Sequence, residues 1–144
     1  MLLAGDIGGT KTNLAVYAPE QGLRSSASVA VSPMAQGTFK SADYSSLKAV
    51  VEEFLAGAGV AVDRAVFGVA GPVVGGHSTA TNLPWVIREE TLREALGVEE
   101  VTLLNDLEAT AYGVTHLPAS DLALLNEATP RSGSKVVVAP GTGL

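Results

Sequence analysis

Gly5-Asp6-Ile7-Gly8-Gly9-Thr10-Lys11-Thr12 stands between two short apolar stretches, Leu2-Leu3-Ala4 and Leu14-Ala15-Val16-Tyr17. Adjacent glycines allow a turn with positive φ and a close approach to a ligand, Thr10, Lys11 and Thr12 offer donors, and Asp6 could face a metal. Those residue types suit a loop that wraps phosphate oxygens. The Walker A pattern Gly-x-x-x-x-Gly-Lys-Ser/Thr fits from Gly5 to Thr12 except at Thr10, which stands where the second glycine belongs. A Walker A loop must also open a helix, whereas Asn13-Leu14-Ala15-Val16-Tyr17-Ala18 is rich in β-formers and runs into Pro19. The order expected is strand, turn, strand. The dinucleotide fingerprint is absent, since no glycine stands two residues before Gly8 or three after Gly9. An ordinary glycine-rich hairpin accounts for the same residues without a ligand, and the local sequence leaves both readings open.

Three further places carry polar residues at predicted element ends. Leu104-Asn105-Asp106-Leu107-Glu108-Ala109 puts an asparagine and an aspartate at the carboxyl end of a buried strand and the start of a helix. An aspartate there can accept a proton from a substrate hydroxyl while the asparagine fixes that substrate. Asn105 with Glu108 three residues on also reads as a helix capping box, and Asp106 suits a helix N-terminus. In Thr81-Asn82-Leu83-Pro84-Trp85, the single tryptophan reads as a core anchor and leaves Asn82 free for a polar role. Pro140-Gly141-Thr142-Gly143 repeats the small residues and hydroxyl of the first loop, as a second phosphate loop or as a plain turn.

The elements that must position these residues follow from periodicity. Strands are expected at the two apolar stretches flanking the first loop, weakly at Ser28-Val29-Ala30-Val31, and at Arg64–Ala70, Val101–Leu104 and Lys135–Ala139. Ser32 to Asp43 reads as a polar, turn-rich stretch. Leu47, Val50, Val51, Phe54 and Leu55 fall on one helical face, with Ser45 or Ser46 to cap it and Gly57 and Gly59 to stop it. Further helices are expected from about Arg88 to Leu96, closed by Gly97, and from Leu107 to about Val114. A loop or hairpin with Gly75-Gly76 lies between. The fold class is mixed α/β, with an antiparallel opening and parallel strands joined by right-handed helical crossovers.

Composition sets outer bounds. The chain has 144 residues, 47% hydrophobic and 17% charged, enough for one domain burying roughly two-thirds of its unfolded surface. A net charge of −6 and the lack of any Lys/Arg cluster argue against nucleic acid. There is no cysteine, so thiolate metal sites and disulfides are excluded. No basic leader and no long apolar span is present, so the expectation is a cytoplasmic protein with no membrane segment.

Gly-Asp-Ile-Gly-Gly-Thr-Lys, Ala70-Gly71-Pro72, Thr-Asn-Leu-Pro-Trp, Leu-Asn-Asp-Leu-Glu-Ala and Gly-Thr-Gly-Leu, in that order, resemble the bacterial glucokinase family of the sugar kinase, hexokinase and actin-like ATPase superfamily. The resemblance spans the whole chain and implies a ribonuclease H-like domain with three antiparallel strands and then parallel ones. It implies that Gly5, Asp6, Ile7, Gly8, Gly9 and Thr10 form a first loop for ATP phosphates, with Asp6 directed towards magnesium through water. Gly141, Thr142 and Gly143 match the second phosphate loop. Asp106 matches the base that takes the proton of the 6-hydroxyl of glucose, with Asn105 and Asn82 as sugar ligands. Lys11 has no obligatory role.

In that family, further sugar ligands come from a glutamate and a Glu-x-x-His segment beyond the second loop, and the adenine pocket from a larger lobe. His77 and His116 precede that loop and read as a loop polar residue and a helix C-terminal cap. The expectation is therefore an N-terminal lobe alone, inactive by itself, with an exposed and partly apolar face that favours a homodimer or other self-association. A non-catalytic actin-like or regulatory ATP-binding or sugar-binding module is the competing class. It would share the phosphate loops but has no reason to place Asn-Asp beside Thr-Asn-x-x-Trp.

Overall fold

Period-two alternation builds the strands that frame the first loop. In Leu2–Ile7 (β1), Leu3 and Ile7 are buried, and in Lys11–Tyr17 (β2), Thr12, Leu14 and Val16 are. The computed structural model describes residues 1–18, 32–80, 82–127, 129 and 132–140. β2 runs antiparallel to β1, with Leu2 opposite Tyr17 and Ile7 opposite Thr12. A strand, not a helix, therefore follows the loop, which separates it from Walker A.

The third strand, Ala35–Lys40 (β3), lies where a turn-rich stretch was expected, and pairs antiparallel with β2. Ala35, Gly37 and Phe39 are the half-buried set, and Gln36, Thr38 and Lys40 the exposed one. Glycine at the central inward position hides the alternation from the sequence. It is also needed there, since a Cβ on Gly37 would stand 2.9 Å from the Phe39 ring and 3.3 Å from that of Phe54. The strand expected at Ser28–Val31 lies outside the described residues.

Leu47–Ala58 (α1) starts at Ser46, whose hydroxyl accepts from the Ala49 N–H at 3.3 Å, and stops at Gly59 with φ 64°. The chain then enters Arg64–Val69 (β4), parallel to β1, with Leu2 opposite Arg64 and Ile7 opposite Val69. A small antiparallel sheet follows, from Val73–Val74 (β5), His77–Thr79 (β6) and Val86–Arg88 (β7). Gly75 and Gly76, at φ 57° and 72°, make its first turn, where two positive φ values match the right-handed strand twist. Glu89–Leu96 (α2) ends at Gly97, and Glu100–Asn105 (β8) returns parallel to β4. Asp106–Val114 (α3) follows without a break.

The main sheet has the order β3-β2-β1-β4-β8. Leu3, Ile7, Phe67 and Val69 on one face of it belong to the same buried cluster as Val50, Val51 and Phe54 of α1 and Leu92 of α2. Trp85 joins them at 2% exposure, with its indole N–H donating to the Tyr44 carbonyl at 3.1 Å, so the core-anchor reading holds. On the opposite face, α3 approaches β4 at Gly68, where a Cβ would lie 3.2 Å from that of Ala109.

Lys135–Ala139, expected as a strand, lies within residues 134–140, which belong to no helix or strand, and Val136 and Val138 are largely exposed. Alternation makes a strand only where another edge takes its backbone groups. β8 is the sheet's outer strand on that side, and part of its free edge is filled by a side chain: the Leu103 N–H donates to Glu89 Oε1 at 2.7 Å. Replacing Glu89 by alanine orphans this buried N–H and is expected to cost about 1–3 kcal/mol, whereas Glu89→Gln keeps an acceptor and most of the stability. Denaturant midpoints of the two variants check this.

Candidate functional site

The parallel register brings Ile7, Val69 and Asn105 into one row across β1, β4 and β8. Three segments leave the sheet from this row: Gly8–Thr10 after β1, Ala70–Pro72 after β4, and α3 directly after β8. With strands about 4.8 Å apart, the first and third of these start roughly 10 Å from each other. Open α/β sheets bind ligands at such carboxyl ends.

The first loop closes by the Gly8 N–H donating to the Lys11 carbonyl at 2.9 Å. Neither Gly8 nor Gly9 adopts the positive φ expected of them. The glycine at position 8 answers to crowding instead, since a Cβ there would lie 3.1 Å from the Lys11 carbonyl oxygen. Gly5 is a packing glycine within β1, where a Cβ would press to 2.5 Å from the Phe67 ring. Thr10 and Lys11 are exposed, and Ile7 is buried.

Asp6 lies on the sheet face away from the buried cluster and is exposed. The Asn13 amide donates to its Oδ2 at 3.2 Å, and the Thr38 hydroxyl donates to Asn13 Oδ1 at 2.9 Å, which fixes the amide's direction. These three side chains line an open hollow of about 660 Å³ on that face. Among the described residues no cluster of three or more His, Asp or Glu could hold a metal alone. A single carboxylate with one oxygen unengaged fits Mg²⁺, which is ordinarily held by one or two carboxylates together with substrate phosphates.

Asn105 is the N-cap of α3: its Oδ1 accepts from the N–H groups of Leu107 and Glu108 at 3.0 and 3.4 Å. Its amide donates to the Gly71 carbonyl at 2.9 Å, tying the end of β8 to the turn after β4. The N-cap half of the capping-box reading is thus realised, without a hydrogen bond from the Asn105 N–H to the Glu108 side chain among the described residues, and one amide hydrogen of Asn105 is left over for a ligand. Asp106, the first residue of α3, is half-buried, with Oδ1 accepting from the Leu107 N–H at 2.9 Å. Its second oxygen has no hydrogen bond within the described residues.

Asn82 is exposed in the β6–β7 turn and takes φ 63°, a left-handed conformation asparagine tolerates. No hydrogen bond joins it to Asn105 or Asp106. Gly141, Thr142 and Gly143 lie outside the described residues. His77 Nδ1 contacts the Gly75 carbonyl at 2.6 Å, and His116 Nδ1 the Tyr112 carbonyl at 2.9 Å, so His116 caps the end of α3. Tyr44, whose carbonyl holds Trp85, has its phenol raised above the ordinary range by desolvation first and then by the hydrogen bond to Glu53.

Asn13, Thr38 and Ser41 were not picked out from the sequence. Only Thr12, a polar residue at an inward position of an alternating strand, hinted at a buried polar group behind the loop.

The glucokinase family profile matches residues 3–144. The glucokinase of Nostoc punctiforme is 36% identical over 146 residues, and that of Zymomonas mobilis 35% over 147. These alignments take in 100% and 99% of this chain and 41% and 44% of the relatives, so the chain spans less than half their length. A crystal structure of a glucokinase from an Antarctic psychrotroph superposes with TM-score 0.72 at 28% identity, over 83% of this chain and 36% of that one. The mixed sheet, with its antiparallel opening and parallel continuation, is the actin-like ATPase fold of the sugar kinases. With that fold and a match running over nearly all its residues, the chain belongs to the glucokinase family.

Proposed function

We propose that this chain is the N-terminal lobe of a two-lobe cytoplasmic kinase that transfers the γ-phosphate of ATP to the 6-hydroxyl of glucose. The observation that carries this is the alignment of the Gly8–Thr10 loop and Asp106 at the carboxyl ends of parallel strands in one sheet. A separation of roughly 10 Å between their strand ends suits a phosphate chain at one and a sugar hydroxyl at the other.

Phosphoryl transfer passes through a loose transition state, so alignment and stabilisation of spread negative charge do most of the work. Backbone N–H groups of the loop, that of Gly9 foremost, bind the phosphates, the Gly8 N–H being spent on the Lys11 carbonyl, and Gly141, Thr142 and Gly143 supply the second loop. Magnesium, if bound, would offset the negative charge of the phosphates, and Asp6, oriented by Asn13, would hold it through water. Asp106 receives the sugar's hydroxyl proton late and orients the oxygen throughout. Asn105 uses its remaining amide hydrogen on a neighbouring sugar hydroxyl, and Asn82 closes over the same sugar. The adenine pocket and further sugar ligands belong to a second lobe.

The exposed apolar side chains from α3 onwards, Leu107, Tyr112, Leu117, Leu122 and Leu125 among them, support the face-to-face role expected of this lobe. The 144-residue chain is expected to self-associate in light scattering, with a mass above 14.6 kDa at high concentration, and to show no turnover with ATP and glucose. A strict monomer counts against the first expectation, and measured turnover against the second.

In the complete polypeptide that bears this sequence, Asp106→Ala is expected to lower kcat by about 10²–10⁴-fold, the usual contribution of a positioned base, and to leave the Kd for ATP within about twofold. Near-normal turnover would remove Asp106 from the base role.

A further inference from the structure

Behind the first loop lie two hydroxyls with no exposure at all, Thr12 and Ser41. Ser41 donates from its Oγ to the Gly8 carbonyl at 2.9 Å. Its single proton is thereby used, so the 3.0 Å contact between Thr12 Oγ1 and Ser41 Oγ has Thr12 as donor. A directed chain results, from Thr12 to Ser41 to the Gly8 carbonyl, and each bond in it polarises the next. The Ser41 backbone N–H adds a second hold, donating to the Thr10 carbonyl at 3.0 Å.

The geometry points to Thr12 and Ser41 as positioning residues that make the first loop an anion cradle, by turning its carbonyls inward and thus its N–H groups outward. In a planar trans peptide, a carbonyl and the N–H of the following residue point in opposite directions. Drawing the Gly8 and Thr10 carbonyls onto Ser41 therefore aims the N–H groups of Gly9 and Lys11 away from it. A loop with those peptides flipped would present carbonyl oxygens, and these repel phosphate. The Gly9 N–H has no acceptor among the described residues, as a group kept for a ligand requires. The ligand class is a polyphosphate chain, and this assignment rests on the phosphate-loop role proposed above for Gly8–Thr10.

The test uses the complete polypeptide with ATP and with inorganic tripolyphosphate, which has no base or ribose. Ser41→Ala and the isosteric Thr12→Val each remove a link of the chain, whereas Thr12→Ser keeps the hydroxyl. The first two are expected to raise the Kd for both polyphosphates about tenfold, as loss of a bond to a buried acceptor does. They should leave glucose binding within about twofold and speed hydrogen exchange at residues 8–12. Thr12→Ser should bind tripolyphosphate as the parent does, a difference from Thr12→Val that a merely stabilising role would not produce. Unchanged polyphosphate binding in Ser41→Ala and Thr12→Val, with faster loop exchange, overturns the assignment while leaving the kinase reading intact. A parent protein that binds neither ATP nor tripolyphosphate overturns the phosphate-loop reading itself, and the assignment with it.

Discussion

Parallel pairing of β1 with β4 and of β4 with β8 is the constraint on which the remaining structure depends. Making just one of these two pairings antiparallel would send the Gly8–Thr10 loop and Asp106 to opposite ends of the sheet. Parallel ones put them on the same edge, two strand spacings apart. The pairing in turn demands crossovers, and these explain the amphipathic helices. α1 returns the chain from β3 to β4, and the small sheet with α2 returns it from β4 to β8. Each buries its apolar side on one sheet face and so makes the core.

Close approach between layers rests on small residues at the same strands. Gly5 leaves room for the Phe67 ring, which is fully buried, and Gly68 lets Ala109 of α3 reach the opposite face. Asp6 pairs with Gly68 across β1 and β4, so the strand residue that brings α3 close is also the neighbour of the carboxylate proposed to face magnesium. Enlarging either glycine would shift a layer before it altered any polar group, because interiors are packed too densely to absorb a methyl without movement.

What the sequence made legible was periodic or punctuated. β1, β2, β4 and β8, all three helices and the glycine stops at 59 and 97 were readable from alternation, helical spacing and capping chemistry. β3 was not, because Gly37 occupies its central inward position and leaves Phe39 as the single large apolar residue of the strand. Lys135–Ala139 failed the other way: its alternation is real, but a strand is a property of two edges and the sequence of one shows nothing about its partner. For the candidate site, the motif residues could be singled out because glycine, asparagine and aspartate at element ends are conspicuous. Their supports were missed, because Asn13, Thr38 and Ser41 are ordinary residues whose roles come only from pairing β2 with β3 and seating Ser41 beneath Gly8.

Asn105 shows why capping and ligand readings need not compete. A helix start at the carboxyl end of a strand requires a side chain that accepts from the first free N–H groups, and asparagine does this with its oxygen alone. Its amide remains, and one of the two hydrogens holds the Gly71 carbonyl, fixing the side chain's rotation. The other hydrogen then has a direction set by two anchored bonds. A residue in that state is a better hydrogen-bond donor to a sugar than a free one, because the entropy of orienting it is spent in folding and not in binding. The same logic applies to Asp106, whose one carboxylate oxygen accepts from the Leu107 N–H while the other has no hydrogen bond among the described residues. The cap that starts α3 and the group proposed to start the chemistry are consecutive residues for that reason.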